Sequence, residues 1–100
     1  MATAYLLPSA ESDLASIALY VAQDNQTAAF RLVDLTEEKC QLLADSPGMG
    51  RPRPDVAKDM VPDLRSFPVG SYGIYYQPVD DGVEVIRIVH FARDIRSVFS

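Results

Sequence analysis

The sequence is poor in the residues that build zinc sites and disulfides. Its 100 residues contain one cysteine, one histidine and no tryptophan. A structural zinc site takes about four ligands, mostly Cys or His, and an intramolecular disulfide takes two cysteines. Both are therefore excluded within this chain, and we expect neither a metal nor a cofactor. The lone Cys40 fits a reducing compartment.

Long hydrophobic runs are also missing. No apolar stretch approaches the roughly 20 residues that cross a bilayer. The N-terminus lacks the basic flank and the long apolar segment of a signal peptide. We therefore expect a cytoplasmic protein that has no membrane partner. With 48% hydrophobic and 23% charged residues, the composition predicts one globular domain over residues 1–100.

Positive charge is scarce in the first half of the chain. Residues 1–50 hold two basic side chains against seven acidic ones, whereas residues 51–100 hold seven of each. An acidic surface repels phosphate backbones. We therefore expect no direct sequence-specific nucleic-acid binding by the chain alone. The charge count does not exclude a local basic patch in the second half of the chain.

The apolar pattern of the first half predicts a short strand and two helices. Residues 3–7 are rich in β-prone side chains. Apolar residues then recur at helical spacing over 10–21, and Ser9 is the predicted N-cap. A second helix is predicted over 26–45. Because the connection between the helices is so short, they should form an antiparallel hairpin.

The second half predicts a loop followed by three strands. Residues 47–63 contain four prolines and two glycines, which favour a loop. The β-prone stretches that follow are 64–67, 71–77 and 83–91, with Asp81-Gly82 as a two-residue hairpin turn. A last turn or short strand is predicted over 94–99. The order β-α-α-β-β-β predicts an α+β, two-layer domain in which the helical hairpin packs on a mostly antiparallel sheet.

Several polar residues in the second half could carry chemistry or support the fold. They are Arg65, Tyr72, Arg87, His90, Arg93 and Asp94. Arg87 interrupts an otherwise apolar strand, and a buried guanidinium is tolerated only when it is paired. Asp94 or Glu84 is its predicted partner. Structural pairing is the favoured interpretation of Arg87 and Asp94, while a site and fold support are equally open for Arg65 and Arg93.

Short motifs along nearly the whole chain resemble the ParE branch of the RelE/ParE toxin superfamily. They are Ala10-Glu11-x-Asp13-Leu14-x-x-Ile17, Asp24-Asn25, Leu43-Ala44-x-x-Pro47-x-x-Gly50-Arg51, Leu64-Arg65-Ser66-Phe67, Tyr72-x-Ile74-Tyr75-Tyr76 and Ile86-Arg87-Ile88-Val89-His90-x-Ala92-Arg93-Asp94-Ile95. Each motif is weak alone, whereas their shared order is specific. The acidic balance departs from the family, and so does Gln26, where the family often has proline.

The resemblance implies a toxin of a type II toxin–antitoxin system, neutralised by a ParD-like antitoxin whose tail lies on the toxin. For the ParE branch the implied target is DNA gyrase, and toxicity arises from stalled gyrase–DNA complexes without catalysis by the toxin. For the RelE branch it implies ribosome-dependent mRNA cleavage, in which basic residues stabilise the phosphorane and a C-terminal tyrosine assists proton transfer. Fold alone does not choose between the branches.

Position 99 separates the two branches. RNase relatives commonly carry tyrosine there, whereas Phe99 cannot act as a general acid or base. Lys58 is the only lysine in a loop where those enzymes cluster several. We therefore favour gyrase poisoning, with an RNase as the alternative, in which Arg65, His90 and Arg93 would be catalytic. An interaction partner without toxicity is a third class.

The resemblance also indicates which residues serve toxicity or the family motif, and the helical pattern suggests an antitoxin surface. The first set is Arg65, Tyr72, Arg87, His90, Arg93, Asp94 and Phe99. On the first helix, Leu19 lies roughly opposite the apolar stripe at 100° per residue. The hypothesis is that Leu19, Leu35 and Leu42 contact an apolar antitoxin segment. Chance exposure is an equal alternative for Leu19, because single exposed leucines are common.

Overall fold

A computed structural model describes residues 2–57 and 59–99 of the chain, so Lys58 lies outside the described residues. The elements in chain order are β1 (Thr3–Leu6), α1 (Pro8–Ala22), α2 (Gln26–Asp45), a 3₁₀ turn (Pro47–Met49), β2 (Arg51–Pro52), α3 (Pro54–Ala57), β3 (Arg65–Val69), β4 (Tyr72–Val79), β5 (Gly82–His90) and α4 (Ile95–Val98). The predicted α+β class is confirmed. The predicted loop over 47–63 also contains a 3₁₀ turn, a two-residue strand and one helical turn.

The strands form a single sheet in the order β1-β5-β4-β3-β2. β1 pairs with β5 in parallel, and the other neighbouring strands pair antiparallel. β5 lies between β1 and β4, in the interior of the sheet. None of the described helices is both long and apolar enough to cross a bilayer.

The N-terminal helical hairpin is held by its first residues and by its turn. α1 starts at Pro8, with Leu7 in the N-cap position, so the predicted N-cap at Ser9 was wrong. Proline suits the first helical turn because its missing N–H needs no partner there. The Ser9 hydroxyl instead donates to the Ile86 carbonyl at 2.7 Å. Asn25 caps α2, and its side-chain oxygen accepts from the Ala28 N–H at 3.0 Å.

Apolar side chains cover both faces of the sheet. The hairpin cluster, between the helices and the sheet, includes Ala10, Cys40, Leu43, Val69, Ile74, Tyr76, Val83, Val85 and Ile88. The C-terminal cluster, on the opposite face under α3 and α4, comprises Ala57, Leu64, Tyr75, Val89 and Phe99. Cys40 is 2% exposed and belongs to the hairpin cluster. The hairpin and sheet form the two predicted layers, and short C-terminal elements cover the far face.

A β-bulge in β5 decides which of its side chains face the hairpin. Tyr75 pairs with Arg87 while Tyr76 pairs with Val85, so Ile86 is the extra residue. Successive strand residues normally alternate between faces, and one extra residue reverses that alternation. Val85 and Ile88 therefore both reach the hairpin cluster, although they are three residues apart.

The turn between β4 and β5 lies one residue earlier than predicted. Val79 pairs with Gly82, so Asp80 and Asp81 form the two-residue connection. Among the described residues no non-glycine residue has a positive φ, so neither Asp80 nor Asp81 adopts the positive φ that is common in two-residue hairpin turns. Gly82 has a φ of 153°, and a Cβ there would lie 1.9 Å from the Thr3 carbonyl oxygen. The close approach of β1 therefore requires glycine at this position.

Candidate functional site

Arg87 of β5 is paired with Asp13 of α1. Its Nε and Nη2 donate to the two carboxylate oxygens at 2.7 and 2.9 Å. The carboxylate also accepts from the Ile88 N–H at 2.9 Å. These hydrogen bonds stabilise the charged guanidinium, and the Asp13 contact raises the pKa of Arg87. Asp13 thus ties α1 to both the side chain and the backbone of the bulged strand.

The predicted partners of Arg87 were wrong. Glu84 accepts from the Gln77 side chain at 2.9 Å, and Asp94 caps α4 by accepting from the Arg96 N–H at 3.2 Å. The physical reason is the open edge of β5: β1 pairs with β5 only as far as Val85, and beyond that point Asp13 of α1 accepts from the Ile88 N–H and from the Arg87 guanidinium. The guanidinium therefore meets α1, which lies far away in the sequence.

Arg65 and Tyr76 hold the segment that follows α2. Arg65 Nη1 donates to the carbonyl oxygens of Gly50 and Gly48 at 2.7 and 3.3 Å. Its neighbour across the sheet, Tyr76, donates its hydroxyl to the Pro47 carbonyl at 2.7 Å and accepts from the Gly50 N–H at 2.8 Å. Burial raises the pKa of Tyr76. The geometry gives Arg65 a structural task, because its guanidinium is committed to the chain's own carbonyls.

The exposed end of β5 gathers a second group of predicted residues. Tyr72 and His90 pair across β4 and β5, and their rings meet edge to face with centroids 5.2 Å apart. Beyond them Phe91 is 58% exposed. The Arg93 N–H closes a turn by donating to the His90 carbonyl at 3.0 Å, and its side chain is exposed. We call Tyr72, His90, Phe91 and Arg93 the β5 tip.

The imidazole of His90 is already engaged. Its Nδ1 accepts from the Ala92 N–H at 3.0 Å. In a neutral imidazole one nitrogen accepts and the other carries the proton. When His90 is neutral, its proton is therefore on Nε2, and the lone pair of Nδ1 accepts the hydrogen bond from the Ala92 N–H. It can act as a general base only by giving up that hydrogen bond.

Arg65 is not brought together with His90 and Arg93. Arg65 pairs with Tyr76 and His90 pairs with Tyr72. These two positions are four residues apart on β4, a distance of about 13 Å along the strand. The residues of the RNase alternative therefore occupy two separate places on the sheet.

Phe99 is buried in the C-terminal cluster. It is 7% exposed, and its ring centroid lies 5.8 Å from that of Tyr75. On the same Tyr75 ring lies the Arg53 guanidinium, 5.7 Å from the centroid, and Arg53 is also paired with Asp55 at 3.1 Å. Phe99 thus attaches α4 to the far face of the sheet.

The three leucines of the antitoxin hypothesis lie on two surfaces. Leu19 is 71% exposed and lines a cavity of about 320 Å³ between α1 and α2. Leu35 and Leu42 are exposed on α2 and line a separate depression of about 470 Å³ that includes Lys39. The three leucines therefore belong to two separate surfaces and do not form a single contact surface.

Phe30 and Phe91 are exposed aromatic residues that the sequence reasoning missed. Phe30 is 64% exposed and lines the same cavity as Leu19. It lies about 140° from Leu35 at 100° per residue, on the opposite flank of α2. A large aromatic residue outside the apolar stripe was the available signal for Phe30. Phe91 had none, because it continues an apolar strand in the sequence.

The described parts of the chain contain no candidate metal site. Within residues 2–57 and 59–99, no group of three His, Cys, Asp or Glu side chains is placed to hold a metal ion.

Comparison with known proteins gives a family match and several solved chains of similar fold. The family model described as "ParE toxin of type II toxin-antitoxin system, parDE" matches residues 5–95. A solved chain from "Chromosomal ParDE TA system from P. aeruginosa" is 20% identical, covers 90% of this chain and 96% of its own length, and superposes with a TM-score of 0.69. At that identity the likeness shows the fold. No curated protein matches significantly.

Proposed function

Because this chain belongs to the ParE toxin family of type II toxin–antitoxin systems, we propose that it poisons DNA gyrase and is held inactive by a ParD-like antitoxin. The observation that carries the proposal is the family match over residues 5–95. In this proposal the toxin breaks no bond itself. It acts by contact with gyrase and needs no catalytic group of its own.

The missing proton-transfer group supports gyrase poisoning over mRNA cleavage. Cleavage of RNA needs cations for the phosphate and a group that exchanges a proton with the reacting oxygens. Phe99 has no hydroxyl and is buried against Tyr75. The Nδ1 of His90 is occupied by the Ala92 N–H. Arg65 donates to the carbonyls of Gly48 and Gly50, and its strand position is about 13 Å from that of His90.

The β5 tip is the surface we assign to gyrase contact. Phe91 offers an exposed ring beside the exposed Arg93 side chain. Aromatic and arginine side chains dominate the binding energy of many interfaces. Arg93 has no ion-pair partner among the described residues, so its charge is available to a partner. Tyr72 supports this surface by packing its ring against His90.

The antitoxin is assigned to the helical hairpin. Leu19 and Phe30 expose apolar surface on either side of one cavity between α1 and α2. Apolar clefts between helices commonly accept the apolar face of a partner helix. Leu35 and Leu42 form a second contact on the other flank of α2. An antitoxin segment bound to both flanks would have to pass around this helix.

The direct test is expression of residues 1–100 in bacteria with and without the adjacent reading frame. We expect growth arrest by the chain alone and normal growth when the adjacent product is present. Normal growth in the presence of intact, folded chain would contradict a toxin and favour an interaction protein without toxicity.

The RNase alternative is tested with ribosome-bound mRNA. Wild type and Phe99→Tyr are compared at equal concentration, and cut sites are mapped by primer extension. We expect no cleavage by either protein. Cleavage by wild type would overturn the gyrase assignment, and a gain of about tenfold or more in Phe99→Tyr would indicate an RNase that lacks its proton-transfer group.

A further inference from the structure

Two cavities on the hairpin form one trough. The cavity beside Leu19 shares Ala18 and Val33 with a second cavity of about 510 Å³. The floor of the second cavity is Ala4 and Leu6 of β1, so the trough reaches the sheet between the helices. Along α1 it extends from Glu11 to Ala22, about 16 Å at 1.5 Å per residue.

The walls of this trough carry negative charge that no ion pair among the described residues neutralises. Glu11 of α1 and Glu37 of α2 line the deeper cavity, and Asp34 lines the cavity beside Leu19. The residues that line the two cavities include no lysine or arginine. Within the described chain, the ion pairs are Arg53–Asp55 and Arg87–Asp13, so none of these three acids is paired.

We propose that the occupant of this trough is a basic amphipathic helix of the antitoxin, with apolar residues on the floor and lysine or arginine beside Glu11, Asp34 and Glu37. The inference rests on the proposed function and specifies the chemistry of its partner. Two antiparallel helices with small side chains between them leave room for a third helix, whose axis lies about 8–10 Å from theirs. A helix of about three turns matches the length of the trough.

The negative charge of the trough selects a basic partner helix over an acidic one. An apolar helix with acidic flanks would place like charges beside Glu37 and Asp34, and such contacts are unfavourable at an interface. A basic helix would bring the missing counter-charges. The toxin therefore selects its antitoxin in part by the sign of the charge that flanks the apolar face.

The test compares two charge reversals at exposed acidic residues. Glu37→Lys changes the trough, whereas Asp63→Lys makes the same charge change in the loop before β3, away from both assigned antitoxin contacts. Both side chains are exposed, so both variants should fold, and their melting temperatures verify this. The probe is the purified product of the adjacent reading frame, and its Kd is measured by calorimetry in 0.1 M and 0.5 M NaCl.

We expect Glu37→Lys to weaken binding at least about tenfold in 0.1 M NaCl, and Asp63→Lys to change it less than about twofold. Salt should weaken wild-type binding more than Glu37→Lys binding, because screening removes an attraction that the variant lacks. Tighter binding by Glu37→Lys, or equal losses in both variants, would overturn the basic helix and leave the toxin–antitoxin assignment intact. Failure of wild type to bind the adjacent product and to arrest growth would contradict the proposed function itself.

Discussion

Arg65 and Arg87 are both held by the fold, but by different acceptors. Arg87 is bound by the Asp13 carboxylate and Arg65 by the carbonyls of Gly48 and Gly50. Arg93 has no bonded side-chain partner in the described parts of the chain. Of these three arginines, Arg93 is therefore the one whose charge is free for a partner.

Removal of Asp13 tests the first of these contacts. Asp13→Ala leaves a partly buried guanidinium and the Ile88 N–H without their acceptor. We expect a loss of about 2–3 kcal/mol in the free energy of unfolding, measured with urea. Asp24→Ala removes an exposed carboxylate near the end of the same helix and should cost less than about 0.5 kcal/mol. Equal losses in the two variants would show that the Arg87 contact does not stabilise the fold.

The Cys40 thiol should lower the stability of the fold at alkaline pH. Burial raises its pKa from 9.0 to about 11. The protonated thiol is favoured in the folded state, so its contribution is fully present below pH 9 and is lost as pH rises toward 11. We expect a loss on the order of 2 kcal/mol over this range in wild type, beyond the loss in Cys40→Ala. Parallel pH profiles of the two proteins would contradict this.

The elements differ in how much of them the sequence determines. α2 was predicted over 26–45 and is found there, because its apolar stripe recurs over five turns and Asn25 caps it. α3, β2 and α4 have two to four residues each. They contain too few residues for a periodic pattern: α3 and α4 cover Tyr75 and Val89 from outside, and β2 pairs with the edge of β3. Local sequence carries little information about such elements.

The candidate site was predictable in part for the same reason. The sequence placed Tyr72, His90 and Arg93 near strand ends, and the structure brings them together at the β5 tip. The partner of Arg87 could not be predicted, because Asp13 lies 74 residues away in the sequence and reaches β5 only where β1 has ended. Leu19 was predictable from helical angles, but its separation from Leu35 depends on how the hairpin lies on the sheet.

Gly82 tests the attachment of β1 to the sheet. Gly82→Ala would place a methyl group 1.9 Å from the Thr3 carbonyl oxygen, at a φ of 153° that side chains rarely adopt. We expect a loss of about 3 kcal/mol or more, together with faster amide exchange in Thr3–Leu6. Gly48→Ala adds its methyl group to open space and should change stability by less than about 1 kcal/mol. Similar stabilities for the two variants would contradict the close approach.

The whole molecule has its two proposed surfaces in different places. The trough lies on the hairpin between α1 and α2, and the β5 tip lies at one end of the sheet. An antitoxin bound in the trough would therefore not need to touch Arg93. Neutralisation then depends on how far the antitoxin extends beyond the hairpin.

Separate surfaces predict separable losses of function. Leu19→Asp should weaken antitoxin binding by about tenfold or more and leave growth arrest unchanged. Arg93→Glu should reduce growth arrest and leave the Kd for the antitoxin within about twofold. Both side chains are exposed, so melting temperatures should stay close to wild type. Loss of both functions in either variant would indicate one shared surface.

Gyrase inhibition in a purified system tests the central claim most directly. Gyrase, relaxed plasmid and ATP are incubated with wild type, with Arg93→Glu and with no added protein, and DNA cut by gyrase is released with detergent and protease. We predict that wild type blocks supercoiling and yields linear plasmid, and that Arg93→Glu yields less of it. Normal supercoiling with no linear plasmid, at concentrations of folded wild type that arrest growth, would contradict gyrase poisoning.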